Sequence, residues 1–300
     1  MAQNSPTKLS EFGGFIRPES AEAYFEEARK ASVVQQLARK VPLGVDGQAI
    51  PVTTSKPTAS WVEEGGKKPT SSGSLALKTI VPKKIAVISV VSAEVVRKNP
   101  GGYIDGLRED IGEAFALAFD AAALHGISSP FGDDQSLSAT SKTVKLGTAE
   151  AAKGGIFADI NSGLSLLVKD KKKLNGFAFD SMAEPLFNSA TDLNGRPIFI
   201  DSPTVETAAT VTAGRLLSRP TFVGDTVANG TTIGFGGDWS KAIWGTVGGI
   251  TYDVSTQATV TLNDQLVSLW ENNLVAIRAE AEYGWLLHDK EAFVKYTEGA

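Results

Sequence analysis

Residues 50–91, IPVTTSKPTASWVEEGGKKPTSSGSLALKTIVPKKIAVISVV, are the stretch from which the rest of the chain is read. Leu75, Leu77, Thr79 and Val81, then Ile85, Val87, Ser89 and Val91, alternate with the two-residue period of a β-strand. Residues 63–74, EEGGKKPTSSGS, contain no large apolar side chain. The pattern predicts a long projecting hairpin whose tip has no core of its own. Ordering backbone costs on the order of 1–2 kcal/mol per residue, and a lone hairpin is marginal in water. The segment is therefore expected to be loose in a free subunit and to become ordered by lying on a neighbouring chain, as in an assembly component.

The length of 300 residues allows about two domains with real cores. A net charge of −5 offers no basic face for tight nucleic-acid binding. Lysines do cluster at 67–68, 83–84 and 169–173, where they read as solvated turns or helix ends. With no cysteine, the fold has neither disulfides nor thiolate metal sites and is compatible with a reducing cytoplasm. The first residues lack the basic region and apolar core of a signal peptide, and there is no run of eighteen apolar residues, so neither secretion nor membrane spanning is expected.

Around the hairpin the chain divides into recognisable parts. Residues 1–19 read as an extended polar arm, followed by a short helix over 21–30 that is acidic at its start and basic at its end. The strongest helix is expected over 103–125, with Ile104, Leu107, Ile111, Phe115, Ala118 and Ala122 on one face and Gly126 as its stop. A second helix carries Ile156, Ile160, Leu164 and Leu167 and closes on Asn175-Gly176. Residues 177–180 read as a strand, 182–188 as a helical turn, Asn194-Gly195 as a tight turn and 198–200 as a strand. Segments 242–246 and 250–254 are expected to form a hairpin through Gly248-Gly249. Finally Val275, Ile277, Ala279, Ala281 and Tyr283 alternate with Arg278, Glu280 and Glu282 on the opposite face of a strand.

Signatures of common chemistry are missing. There is no phosphate-binding loop, nucleophile elbow, H-E-x-x-H or cysteine nucleophile. Gly234-Phe235-Gly236-Gly237 begins like a dinucleotide fingerprint, but Trp239 stands in place of the third glycine and no long helix is expected after it. His125 and His288 are the only histidines, one at a helix end and one at a strand-end turn, so a histidine-rich metal site is excluded. Asp133-Asp134 and Glu63-Glu64 are paired carboxylates in Gly- and Ser-containing loops, where solvated acids are the norm. No catalytic, cofactor or metal residues are assigned.

Several motifs in order carry a family resemblance. Ala59-Ser60-Trp61-Val62-Glu63-Glu64-Gly65 followed by Pro69, Pro82-Lys83-Lys84-Ile85-Ala86, residues 90–95 (VVSAEV), and Ala122-Ala123-Leu124-His125-Gly126 with Pro130 and Gly132 form its first half. Asn194-Gly195-Arg196-Pro197, Gly237-Asp238-Trp239-Ser240, residues 273–279 (NLVAIRA), Gly284 and residues 289–294 (DKEAFV) form the second. Over nearly its whole length the chain resembles the major capsid proteins of tailed bacteriophages, whose Hong Kong 97-type fold is shared by encapsulin shells. The resemblance implies an α+β fold with an N-terminal arm (1–44), an extended loop (45–82), a peripheral domain (83–148 and 262–290) and an axial domain (149–261 and 291–300).

It further implies hexamers and pentamers closing into an icosahedral shell around double-stranded DNA, held without sequence-specific binding, with a portal and a possible decoration protein as partners. The arm begins within about twenty residues of Met1, from which a separate scaffolding protein or unaided assembly is expected. Contacts between subunits are expected from Phe15, Ile16 and Arg17 in the arm and from Trp61, Glu63, Glu64, Lys67 and Lys68 in the loop. Some relatives weld subunits through a loop lysine and an asparagine. Here Lys67, Lys68 and Lys78 read instead as solvated lysines, and Asn272-Asn273 as the turn entering a strand. The alternatives weighed beside the capsid subunit are an encapsulin-like compartment and a carboxylate-based soluble hydrolase.

Overall fold

The computed structural model describes residues 32–99, 103–150, 153–190, 199–201 and 211–299. The arm contacts Phe15, Ile16 and Arg17, the helix expected over 21–30 and the turn at Asn194-Gly195 lie outside them. In chain order the strands are β1 (Arg39–Lys40), β2 (Gln48–Ser55), β3 (Ser74–Ile80), β4 (Lys83–Ser92), β5 (Thr143–Leu146) and β6 (Gly176–Phe179). There follow β7 (Phe199–Asp201), β8 (Val211–Leu216), β9 (Arg219–Gly224), β10 (Thr232–Gly237) and β11 (Ala242–Thr246). The last are β12 (Thr251–Ser255), β13 (Thr259–Leu262), β14 (Gln265–Ser268), β15 (Leu274–Leu287) and β16 (Phe293–Glu298). The helices are α1 (Val33–Leu37), α2 (Ala93–Lys98), α3 (Tyr103–His125), α4 (Gly155–Lys169) and α5 (Glu184–Ser189).

The first sheet is organised by β15, which is long enough to pair on both edges. β4 runs antiparallel along one edge from Leu274↔Ser92 to Tyr283↔Lys83. β11 and β12 share the other edge end to end, with Trp244 opposite Trp285 and Val254 opposite Ile277. This corrects the hairpin expected at Gly248-Gly249, since β11 and β12 pair with β15 and not with each other. The glycines, with Gly248 at φ +70, make a jog between two strands running the same way. Buried Ile250 then enters the same core as buried Trp244. A continuous ladder partner thus prevails over a local turn signal.

Strand alternation in β15 buries Val275, Ile277, Ala279, Ala281 and Tyr283 as expected. Against this sheet lies α3, which spans the predicted residues. Ile104, Ile111, Phe115 and Ala122 are buried and Leu107 packs beside them, but Ala118 is exposed. Past Phe115 the buried stripe passes through Phe119, Ala122 and Ala123. Phe119 is the reason: its ring lies 5.2 Å from Tyr283, 5.8 Å from Trp285 and 6.2 Å from Trp244. Such aromatic contacts outweigh what a further alanine could bury.

The second sheet has seven strands in the order β5-β16-β10-β6-β9-β8-β7. Its core joins Ile160 and Leu167 of α4 to Phe177, Phe179, Val294 and Tyr296. The glycines of β10 are explained here: a Cβ on Gly234 would stand 2.1 Å from the Phe179 ring, and one on Gly236 2.9 Å from Phe177. They make room for phenylalanines of β6, their antiparallel neighbour. Two hairpins, β2–β3 and β13–β14, stand outside both sheets.

Candidate assembly interface

The hairpin read from the sequence is present. β2 and β3 pair from Gln48↔Ile80 to Ser55↔Ser74, with no third strand beside them among the described residues. The two-residue period gives it unlike faces. Ile80 is fully buried at the root with Val41, Leu43, Ile243 and Leu286. On the same face Lys78 donates from Nζ to the His288 carbonyl at 3.0 Å, and Val52 of β2 is buried as well. On the opposite face Leu75 and Leu77 are each 73% exposed. The body therefore covers one side of the hairpin and leaves its leucine side to solvent.

Beyond the ladder, residues 56–73 form the tip. Its cross-links are largely hydroxyl bonds: Thr58 N–H donates to Ser71 Oγ at 2.8 Å, and the Ser55 and Ser74 hydroxyls meet at 2.8 Å. A turn brings the Gly66 N–H to the Glu63 carbonyl at 2.9 Å, with Gly65 at φ +76, where a side chain would be strained. Trp61 is wholly exposed. Glu63, Glu64, Lys67 and Lys68 are exposed too, and none enters an ion pair among the described residues. All five predicted tip residues thus share one projecting segment. Under the hairpin's covered face a cavity of about 920 Å³ is lined by Lys56, Lys78, Lys171, Lys172, Lys173 and Lys241. Lys172 pairs there with Asp289.

Sequence reasoning missed a second apolar projection. β13 and β14 form a short hairpin turned by Asn263 and Asp264, both at positive φ (51 and 59), the geometry of a type I′ turn. Its root buries Leu262 and Leu269 against Val90, Leu274 and Ala276. Leu266 (79%), Trp270 (73%) and, on β12, Val254 (66%) are exposed. The signal was present in the alternation T-V-T-L, the Asn-Asp pair and Q-L-V-S.

Most groups that could have served chemistry have structural partners; among the described residues the exceptions are the solvent-exposed Glu63 and Glu64 and the His288 ring, whose Nδ1 is buried without a hydrogen-bond partner. His125 Nε2 lies 2.9 Å from the Val227 carbonyl and Nδ1 3.1 Å from Ser138 Oγ, and burial lowers its pKa. Asp134 pairs with Lys290 at 2.7 Å. Asn273, at φ +52 before β15, donates to Glu94, and Asn272 donates to the Ser268 carbonyl at 2.8 Å. The fully buried Asp120 of α3 accepts from Ser32 Oγ at 2.6 Å and the Val33 N–H at 2.8 Å. It thereby ties α3 to the first turn of α1, whose N-cap is Ser32. Burial pushes its carboxyl up to about 7, against the opposing pull of those bonds.

Comparison with known proteins agrees with this architecture. Residues 13–297 match the phage capsid family. The chain is 45% identical over 300 residues to the probable major capsid protein gp17 of Mycobacterium phage D29, covering 99% of this chain and 94% of that one. It is equally 45% identical to the gp17 of Mycobacterium phage L5, covering 96% and 90%. Among solved structures, one from Mycobacterium phage Adephagia superposes with a TM-score of 0.72 at 20% identity, covering 90% of each chain. One from Gordonia phage Cozz gives 0.69 at 24% identity, covering 90% and 87%. These two likenesses concern the fold, an α+β arrangement of the Hong Kong 97 type. The chain belongs to the phage capsid family and is a major capsid protein of the tailed-phage kind.

Proposed function

We propose that this capsid protein builds an icosahedral shell as hexamers and pentamers, with residues 56–73 and the leucine face of β2–β3 laid on a neighbouring copy. The observation that carries this reading is a fully exposed Trp61 at the end of a hairpin with Leu75 and Leu77 uncovered. Apolar surface of this extent in a projecting element is characteristic of a subunit interface. Trp61, Glu63, Glu64, Lys67 and Lys68 are the contact residues in this proposal, together with Phe15, Ile16 and Arg17 of the arm. We assign the sheet built on β15 and α3 to the peripheral part of the subunit and the seven-stranded sheet to the axial part. This division follows strand pairing and so departs from the bounds expected from the sequence: β11 and β12, within 149–261, go with β15 in the peripheral part, and β5, within 83–148, goes with β16 in the axial part.

The proposed partners beyond sister copies are a separate scaffolding protein, a portal, a decoration protein, and double-stranded DNA enclosed without sequence-specific contacts. The net charge of −5 suits a wall that does not cling to phosphates. Assembly takes place in the host cytoplasm, and the subunit has a structural role with no catalytic residues. No helix among the described residues is long and apolar enough to cross a membrane. Electron microscopy of the purified protein, assembled alone or with its scaffold, tests the proposal. Closed shells of uniform diameter are expected, and a small discrete oligomer under all assembly conditions would overturn it.

A further inference from the structure

The subunit that carries the hairpin also carries an apolar groove. A groove of about 450 Å³ opens between the second half of α3, the loop after it and the start of β4. Phe119, Phe131, Ile85 and Ala118 line its apolar surface, and Lys83 and Lys84 stand on its wall. Phe119 is buried, while Ala118 is the position of α3 that departs from the expected buried stripe and faces outward. Lys84 pairs with Glu280 at 3.2 Å, and Lys83 has no ion pair among the described residues.

The tip carries the counterpart in consecutive residues. Trp61 is a wholly exposed indole, and Glu63 and Glu64 follow it with no cationic partner among the described residues. An aromatic ring of this size buries on the order of 150–250 Å² when it finds a pocket. We propose that Trp61 of one copy inserts into the groove formed by Ile85, Ala118, Phe119 and Phe131 of the next, with Glu63 and Glu64 meeting Lys83 and Lys84. This inference rests on the shell-subunit reading and names the receiving site. Trp61 does not fill the groove of its own chain, where it is wholly exposed.

The groove lies at the root of the same hairpin that carries the tryptophan at its tip, since β4 begins three residues after β3 ends. Knob and hole are therefore different surfaces at opposite ends of one element. Such a contact is head-to-tail, the kind that builds rings when the rotation between copies closes, and not two-fold dimers. Charge pairing at the rim fixes register, and the buried ring supplies the anchor.

Fluorescence tests this in the Trp270→Phe background, which leaves Trp61 as the exposed tryptophan among the described residues. Trp61 emission is expected to shift to shorter wavelength, with acrylamide quenching falling several-fold, when subunits become shells. Ala118→Arg, on an exposed helical position, is expected to block ring formation while the subunit keeps its circular dichroism and melting temperature. Lys83→Glu should weaken assembly at least tenfold, and reversing one acid only, Glu63→Lys or Glu64→Lys, should restore it while the other acid still meets Lys84. Shells in which Trp61 stays as quenchable as in the free subunit, Ala118→Arg subunits that assemble normally, or charge reversals that fail to compensate would each overturn the contact. Failure of the unaltered chain to form shells at all would instead overturn the shell reading.

Discussion

Asp120 is a carboxyl buried for structural reasons, and its energetics have a definite sign. Burial raises it from 3.8 to about 7, so between about pH 4 and pH 7 the folded chain holds a proton that the unfolded chain has released. Its favourable contribution is complete below about pH 4 and is lost as pH rises through about 7. Asp120→Asn cannot ionise, so urea-unfolding midpoints of the variant should gain on the parent steadily across that window, with a constant offset for one lost acceptor. Each pKa unit corresponds to about 1.4 kcal/mol, so the relative gain should be a few kcal/mol. Parallel curves would show that Asp120 does not titrate in this range. The sequence gives no hint of this site, because a single aspartate on a helix reads as solvated until a distant serine, 88 positions away, is seen to donate to it.

Elements differ in how openly the sequence declares them. α3 and β15 are legible because their apolar residues repeat at the helical and strand periods and their long faces bury as units. The β2–β3 hairpin is legible from the barren tip, but the division of its faces was not: Ile80 and Leu77 look alike in sequence, and only the body's position decides that one is buried and the other open. The Gly248-Gly249 jog was misread because ladder partners lie far off in sequence. The β13–β14 hairpin went unread although its turn chemistry is local. These faces make a prediction about stability. Ile80→Ala should cost the subunit about 2–5 kcal/mol by leaving a cavity among Val41, Leu43, Ile243 and Leu286. Leu75→Ser with Leu77→Ser should change subunit stability by less than about 1 kcal/mol while impairing assembly. Urea unfolding beside an assembly assay checks both, and equal destabilisation by the two would contradict the assignment of faces.

The whole molecule pairs two cored sheets with limbs that have no core of their own. The cores use aromatic clusters and glycines fitted to phenylalanine rings, while the projecting hairpin is fixed at its root by Ile80 and crossed at its tip mainly by hydroxyl bonds. Assembly is then the step that covers Trp61, Leu75 and Leu77, and membership of the phage capsid family gives that step its setting. The most direct measurement is amide hydrogen exchange on residues 56–73 in the free subunit and in the assembled shell, with α3 as the internal reference. Exchange within seconds is expected for the free tip, with protection by several orders of magnitude in the shell and slow exchange of α3 in both states. A tip as protected in the free subunit as α3, or one that exchanges as fast in the shell as in solution, would contradict that expectation.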